Sequence, residues 1–290
     1  MRVAGQFVES LYPGQAFQGF HYDEILYQTQ TPFQSIAIYR APVLGRVLVL
    51  DGIVQTTEAD EFIYHEMLVH VPLLAVPAPR KVMIVGGGDG GCLREALKHP
   101  IEHVDLVEID IKVIESSREH LPTLNDGGKV FDDPRVSVVV EDAFKYMKEH
   151  RGEYDVIIVD STDPVGLAEA LFSDEFYRLC RDSLSPQGAL SAQDGVVFFQ
   201  RDEAARSVAA LRNLGLHAGV YLAAVPTYYG GNMTLGLAGR HADVLKPDLE
   251  KLRARFKALT GETRHYSPEV HAASFVLPRW INELVEGSRQ

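Results

Sequence analysis

The stretch V-I-I-V-D-S-T-D-P-V-G, residues 156–166, ends an apolar run on one acid, Asp160, and follows it three residues later with a second, Asp163, beside a proline. Other apolar runs stop the same way. Glu108 closes L-V-E-I-D (106–110) before the last acid, Asp142 closes V-V-V-E-D (138–142), and Asp89 sits in V-G-G-G-D-G-G-C-L-R-E-A-L (85–97). That last string reads as a strand, a glycine loop from Gly86, and the start of a helix. In open α/β sheets ligands bind at the carboxyl ends of strands, where glycines let them approach the backbone. The spacing is not G-x-G-x-x-G. Asp89 also stands where a pyrophosphate would meet the helix N-terminus, and a fixed anion there repels phosphate. The loop therefore suits a nucleoside without phosphates, and a cationic one. Glu108, 20 positions after Gly88, can accept from both hydroxyls of a ribose, or it can cap the helix that follows, a task Asp110 could take instead. Asp142 can accept from an adenine amino group or act as an N-cap. Asp89, Asp160 and Asp163 converge on one pocket with no Lys or Arg in their loops. Burying that much negative charge is unfavourable unless cations compensate it. Ammonium or sulfonium groups on the ligands supply the compensation; the bland alternative is two acids solvated on a loop.

The elements that must hold these acids follow from periodicity. From residue 81, apolar strands alternate with helices: strands at 81–85, 103–110, 135–140, 154–160 and 188–193, helices at 91–99, 111–121, 143–150 and 173–184. Such alternation predicts a mostly parallel sheet covered on both faces. Two further strands, 219–225 and 232–238, are joined by a short Gly-rich link and so should pair antiparallel. Before residue 60 the short runs 34–40, 45–52 and 54–58 predict a small β unit, and 60–74 a helix with Asp60 as its possible cap. The tail from 241 is charged and reads as helical. The expected class is α/β: a methyltransferase-like Rossmann domain with a seven-stranded, mostly parallel sheet (63–290), preceded by a small β domain (1–62).

Composition narrows the function. The 290 residues, 46% hydrophobic and 23% charged, are ordinary for a soluble protein of two domains or one large one. A net charge of −12 argues against nucleic acid as a partner, because phosphate binding wants clustered Lys and Arg. Two cysteines, Cys92 and Cys180, are too few for a disulfide framework and lack metal-ligand spacing. No apolar run is long enough to span a bilayer and the first residues lack the pattern of a signal peptide, so the chain reads as cytoplasmic. H-E-M-L-V-H (65–70) is not a zincin motif: its histidines are five apart and fall on different helix faces, and no metal is expected.

The strings V-L-D-G-I-V-Q-T-T-E-A-D-E-F-I-Y-H-E-M (49–67), G-G-G-D-G-G (86–91), V-E-I-D (107–110), D-S-T-D-P-V-G (160–166), A-Q-D-G-V-V-F-F-Q (192–200) and V-P-T-Y-Y-G-G (225–231) resemble, in order, those of the polyamine aminopropyltransferases, the spermidine synthase family. The resemblance implies homodimers or homotetramers without a cofactor. It implies decarboxylated S-adenosylmethionine as co-substrate, held by Gln34, Gly86, Asp89, Glu108, Asp142, Ala143, Asp160 and Leu167. It places Tyr64, His65, Asp89, Asp163, Gln193, Asp194 and Tyr228 around putrescine. Asp160 matches the proton acceptor, and residues 161 to about 173 match a gate over the site. Three positions depart from the family. Ala143 stands where glycine is common and Leu167 where proline is. The acid of a Gln-Gly-Glu string that binds the far amine is replaced by Asp194–Gly195. Asp194 therefore substitutes from a one-residue displacement, or that amine is reached through water. The alternatives are another acceptor (cadaverine, agmatine or spermidine) and, further off, methyl transfer from S-adenosylmethionine.

Overall fold

A computed structural model describes residues 5–163, 166–229 and 231–287. The chain opens with a hairpin, β1 (Gly5–Tyr12) and β2 (Ala16–Tyr22). Its turn is Tyr12-Pro13-Gly14-Gln15, in which Gly14 takes a positive φ and Gln15 N–H donates to Tyr12 O at 3.0 Å. A four-stranded antiparallel sheet follows: β3 (Glu24–Gln30), β4 (Ser35–Ala41), β5 (Gly45–Leu50) and β6 (Ile53–Thr57). Side chains on its strands alternate between faces. Ile36, Ile38, Leu48 and Leu50 pack on Val113, Leu121 and Leu124. Ala37, Val47 and Val49 face the hairpin residues Phe7 and Phe20. Strands 34–40, 45–52 and 54–58 are thus present as expected, and the hairpin and β3 are additional.

Helix α1 (Glu61–Ala75) then enters the larger layer, buried along nearly its whole length. Asp60 occupies its N-cap position but makes no capping bond. Its carboxylate instead accepts from Thr57 Oγ1 at 2.7 Å and Thr227 N–H at 2.8 Å, tying the helix entry to a distant loop. The main series runs β7 (Lys81–Gly86), α2 (Gly91–Leu97), β8 (His103–Glu108), α3 (Ile111–His120), β9 (Val136–Val140), α4 (Ala143–Glu149) and β10 (Tyr154–Asp160). It continues with α5 (Asp174–Ser183), β11 (Leu184–Val196), α6 (Arg201–Asn213), β12 (His217–Ala224) and β13 (Asn232–Gly239). Helices α7 (Leu249–Phe256), α8 (Pro268–Ser274) and α9 (Arg279–Gly287) close the chain.

The seven-stranded sheet has the order β12-β13-β11-β10-β7-β8-β9. Its pairs are parallel from β9 through β11, whereas β13 runs antiparallel to both β11 and β12, as the short link predicts. One face packs on α1 and α2 through Met67, Leu68, Ile84 and Ile158. The other packs on α4, α5, α6 and α9 through Met83, Ile157, Phe176, Val208 and Ile281. The chain leaves β7 toward β8 on one side and reaches β10 on the other, so the order reverses between β7 and β10. That is where ligands enter folds of this kind. Among the described residues no helix is long and apolar enough to cross a membrane.

Candidate active site

A cavity of about 330 Å³ lies over this switch point, roofed by the hairpin and β4–β6. Gln34, Tyr64, His65, Gly86, Asp89, Glu108, Asp142, Ala143, Asp160, Asp163, Gln193 and Tyr228 all line it. Two expected members fall elsewhere. The side chain of Leu167 lies outside the described residues, although its backbone belongs to a 3-10 helix, Gly166–Phe172, within the expected gate. Asp194 does not line the cavity.

The strand ends set the geometry. Gly86 and Gly87, both at positive φ, carry β7 over β10, and Gly87 N–H donates to Asp160 O at 3.0 Å. A Cβ on Gly86 would strike that carbonyl. Asp160, at the end of β10, accepts from Tyr64 Oη at 2.8 Å and from the Cys92 thiol. Burial raises its pKa, repulsion from Asp89 adds to the rise, and His65, Cys92 and Tyr64 moderate it. Asp163, three residues on, is raised by burial and partly restored by Gln200, whose Nε2 donates at 2.6 Å.

Asp89 accepts from Gly91 N–H at 2.7 Å and lies 3.5 Å from His65 Nε2. His65 Nδ1 meets Glu61 Oε2 at 2.6 Å, and Arg94 reaches the same oxygen at 2.9 Å. Burial alone disfavours the imidazolium, but Asp89 and Glu61 outweigh it and hold the His65 pKa well above its ordinary value. Burial likewise pushes Asp89 up, and His65, the Gly91 N–H and Arg94 bring it below the usual carboxylate range. The sequence reading assigned all compensation to ligands. Two internal cations, His65 and Arg94, share the task, because α1 brings them to the glycine loop from elsewhere in the chain. His65, Cys92 and Asp160 also present donor atoms within 4.8 Å of one another. A metal there must displace protons from an imidazolium and from a thiol that burial holds far from ionisation.

At the nucleoside end, Asp110 caps α3 through Lys112 N–H at 3.0 Å, which leaves Glu108 free of that task. Glu108 accepts from Asp110 N–H at 2.9 Å, and burial pushes its pKa up to about 7. Asp142 does both things its sequence allows: Oδ1 caps α4 through Phe144 N–H at 2.8 Å while the residue borders the cavity. Gln34 donates to Asp110 Oδ2 at 3.2 Å, fixing the sheet to this rim. Tyr228 stands edge-on to Tyr64 and gives its proton to Gln55 O at 2.5 Å, leaving its oxygen able to accept from an N–H.

Asp194 is the correction. Successive side chains on a strand face opposite ways. With Gln193 turned into the cavity, Asp194 points behind β11, where Ser207 Oγ donates to its Oδ2 at 2.8 Å. It is 1% exposed, its Oδ1 has no partner among the described residues, and burial pushes its pKa to about 8. The folded protein then holds a proton that the unfolded chain releases near pH ~4. Stability therefore falls as pH rises from ~4 to about 8. Asp194→Asn is expected to remove up to ~1.4 kcal/mol per pH unit from that slope, read by urea unfolding across the window. An unchanged slope would contradict the assignment.

Glu9 is the acid that the sequence reading missed. It is 1% exposed and lines the cavity from β1, accepting from Val54 N–H at 2.6 Å and Gln18 Nε2 at 3.2 Å. Burial raises its pKa and nearby Asp163 adds to the rise. The Pro13–Gly14 turn signal and the alternation around it could have exposed the hairpin that carries it.

A sheet of this order, with carboxylates gathered at its switch point, defines an enzyme of the methyltransferase-like Rossmann class. Residues 61–247 match the spermine/spermidine synthase domain and residues 7–58 the spermidine synthase tetramerisation domain. A polyamine aminopropyltransferase of Ruegeria sp. is 46% identical over 268 residues, 92% of this chain and 94% of that one. Polyamine aminopropyltransferase 1 of Pseudomonas aeruginosa is 44% identical over 96% of both chains. A spermidine synthase crystallised with the transition state analogue AdoDATO superposes with a TM-score of 0.91 at 37% identity, covering 98% of this chain and 96% of that one. The spermidine synthase of Thermotoga maritima gives 0.89 at 35%, covering 98% and 95%. The chain belongs to the spermine/spermidine synthase family and is a polyamine aminopropyltransferase.

Proposed function

We propose that the cavity joins decarboxylated S-adenosylmethionine to putrescine, giving spermidine and methylthioadenosine. The observation that carries this reading is the gathering of Asp89, Asp160, Asp163 and Glu9 around one cavity. A donor with a sulfonium and an ammonium, and an acceptor with two ammonium groups, complement it. Glu108 takes the ribose hydroxyls, and Asp142 with Gln34 borders the adenine end. Asp89 holds the ammonium of the aminopropyl arm and would repel the carboxylate of ordinary S-adenosylmethionine. Tyr64, His65, Asp163, Gln193 and Tyr228 surround the reacting amine. Glu9 receives the far amine, the task first given to Asp194.

Putrescine arrives protonated, since its amines titrate near a lysine, at about 10. A protonated amine has no lone pair. Asp160 takes one proton, the freed pair bonds to the propyl carbon beside sulfur, and the C–S pair leaves with methylthioadenosine. A free Asp at ~4 faces a mismatch of ~6 units, about 8 kcal/mol. Burial closes part of it by raising Asp160 and lowering the amine. The sulfonium leaves readily without a metal or a covalent intermediate, so positioning supplies much of the rate. The match of residues 7–58 to a tetramerisation domain supports self-association as a homodimer or homotetramer, with Val8 and Phe17, 55% and 76% exposed on the hairpin, as apolar contact points.

The test is mass spectrometry of products formed with each adenosyl donor and a panel of putrescine, cadaverine, agmatine and spermidine. Spermidine and methylthioadenosine should dominate. Methylated products, or faster transfer to another acceptor, would contradict the reading.

A further inference from the structure

Gln200 stands at the N-cap position of α6 yet makes no capping bond there. Short oxygen-bearing side chains are favoured at that position because they close the helix end. The Gln200 side chain turns back toward the cavity instead. Its Oε1 accepts from Val196 N–H at 2.7 Å and from Tyr12 Oη at 3.0 Å, and its Nε2 donates to Asp163 Oδ1 at 2.6 Å. Two donors on the oxygen fix the orientation of the amide, so the nitrogen must face Asp163. Three separate pieces meet on this one group: the hairpin through Tyr12, the end of β11 through Val196, and the segment after β10 through Asp163. Tyr12 is itself held by Phe199, stacked at 4.5 Å, and by the edge of Tyr229 at 4.8 Å. Gly195, at positive φ, leaves the room, since a Cβ there would collide with the Gln200 amide.

We propose that Gln200 is a positioning residue for the acceptor amine, acting through Asp163. By engaging Oδ1, it leaves Oδ2 as the oxygen Asp163 offers to an ammonium, and it anchors that carboxylate to the same hairpin that carries Glu9. The two acids that grip the diamine are thereby held in one frame. This rests on the proposed role of Asp163 at the acceptor amine, and the test separates the two. Steady-state kinetics on Gln200→Met, Asp163→Asn and the double variant give the cycle. Gln200→Met should raise the diamine KM about tenfold, with the KM for the adenosyl donor within about twofold. The double variant should be no worse than Asp163→Asn alone, because residues acting as a unit are not additive. If Gln200→Met does not fold, Tyr12→Phe, which removes one of the two donors on Oε1, runs the same cycle with a smaller rise. An unchanged diamine KM, or effects that multiply in the double variant, would overturn the role of Gln200. An unchanged KM in Asp163→Asn would overturn the acceptor site itself.

Discussion

Asp160→Asn lowers kcat about a thousandfold while the adenosyl donor still binds. The size follows from the base alone: positioned proton transfer contributes ~10²–10⁴. The change keeps the side chain's shape, and Tyr64 and Cys92 retain an oxygen to donate to. The acid limb of the pH profile is a second signature. A base must be deprotonated, and burial with Asp89 holds Asp160 above the usual Asp value, so activity falls as pH drops through that raised value. The residual rate of the variant should lack this limb. Wild-type turnover in Asp160→Asn would remove Asp160 from the base role.

Asp89→Asn has the second largest effect and acts on recognition. A hydrogen bond to a charged group contributes ~1.5–3 kcal/mol. Loss of the carboxylate should therefore weaken decarboxylated S-adenosylmethionine by about a hundredfold. Ordinary S-adenosylmethionine should lose nothing, because its carboxylate no longer faces an anion, and the preference for the decarboxylated donor should shrink. Folding should persist, since Glu61 remains against the His65 imidazolium. Equal weakening of both nucleosides would mean that Asp89 shapes the loop without reading the charge.

How much of this was legible in the sequence depends on how far each contact reaches along the chain. The strands bearing Asp89, Glu108, Asp142 and Asp160 are continuous apolar runs that end on glycine or acid, so period and punctuation located them within a few residues. The antiparallel pair β12–β13 was readable because its link is too short for a crossover. Helix α6 went unmarked although Ala204, Val208 and Leu211 fall on one face. The rest of it is charged, and its apolar stripe is narrow. Pairings across the fold had no local trace: Glu61 and Arg94 around His65, and Tyr12 and Gln200 around Asp163, join residues from different layers. Asp194 failed for a local reason, since displacement by one residue on a strand changes the face. Knowing that Gln193 points into the cavity settles it.

The central claim is that negative side chains select a positively charged donor, and calorimetric titration of the wild-type enzyme with the two adenosyl compounds at one pH and salt concentration tests it most directly. The account predicts that decarboxylated S-adenosylmethionine binds at least tenfold more tightly than S-adenosylmethionine, with the gap narrowing as salt screens the carboxylates. Equal affinity, or a preference for the carboxylated nucleoside, would contradict it.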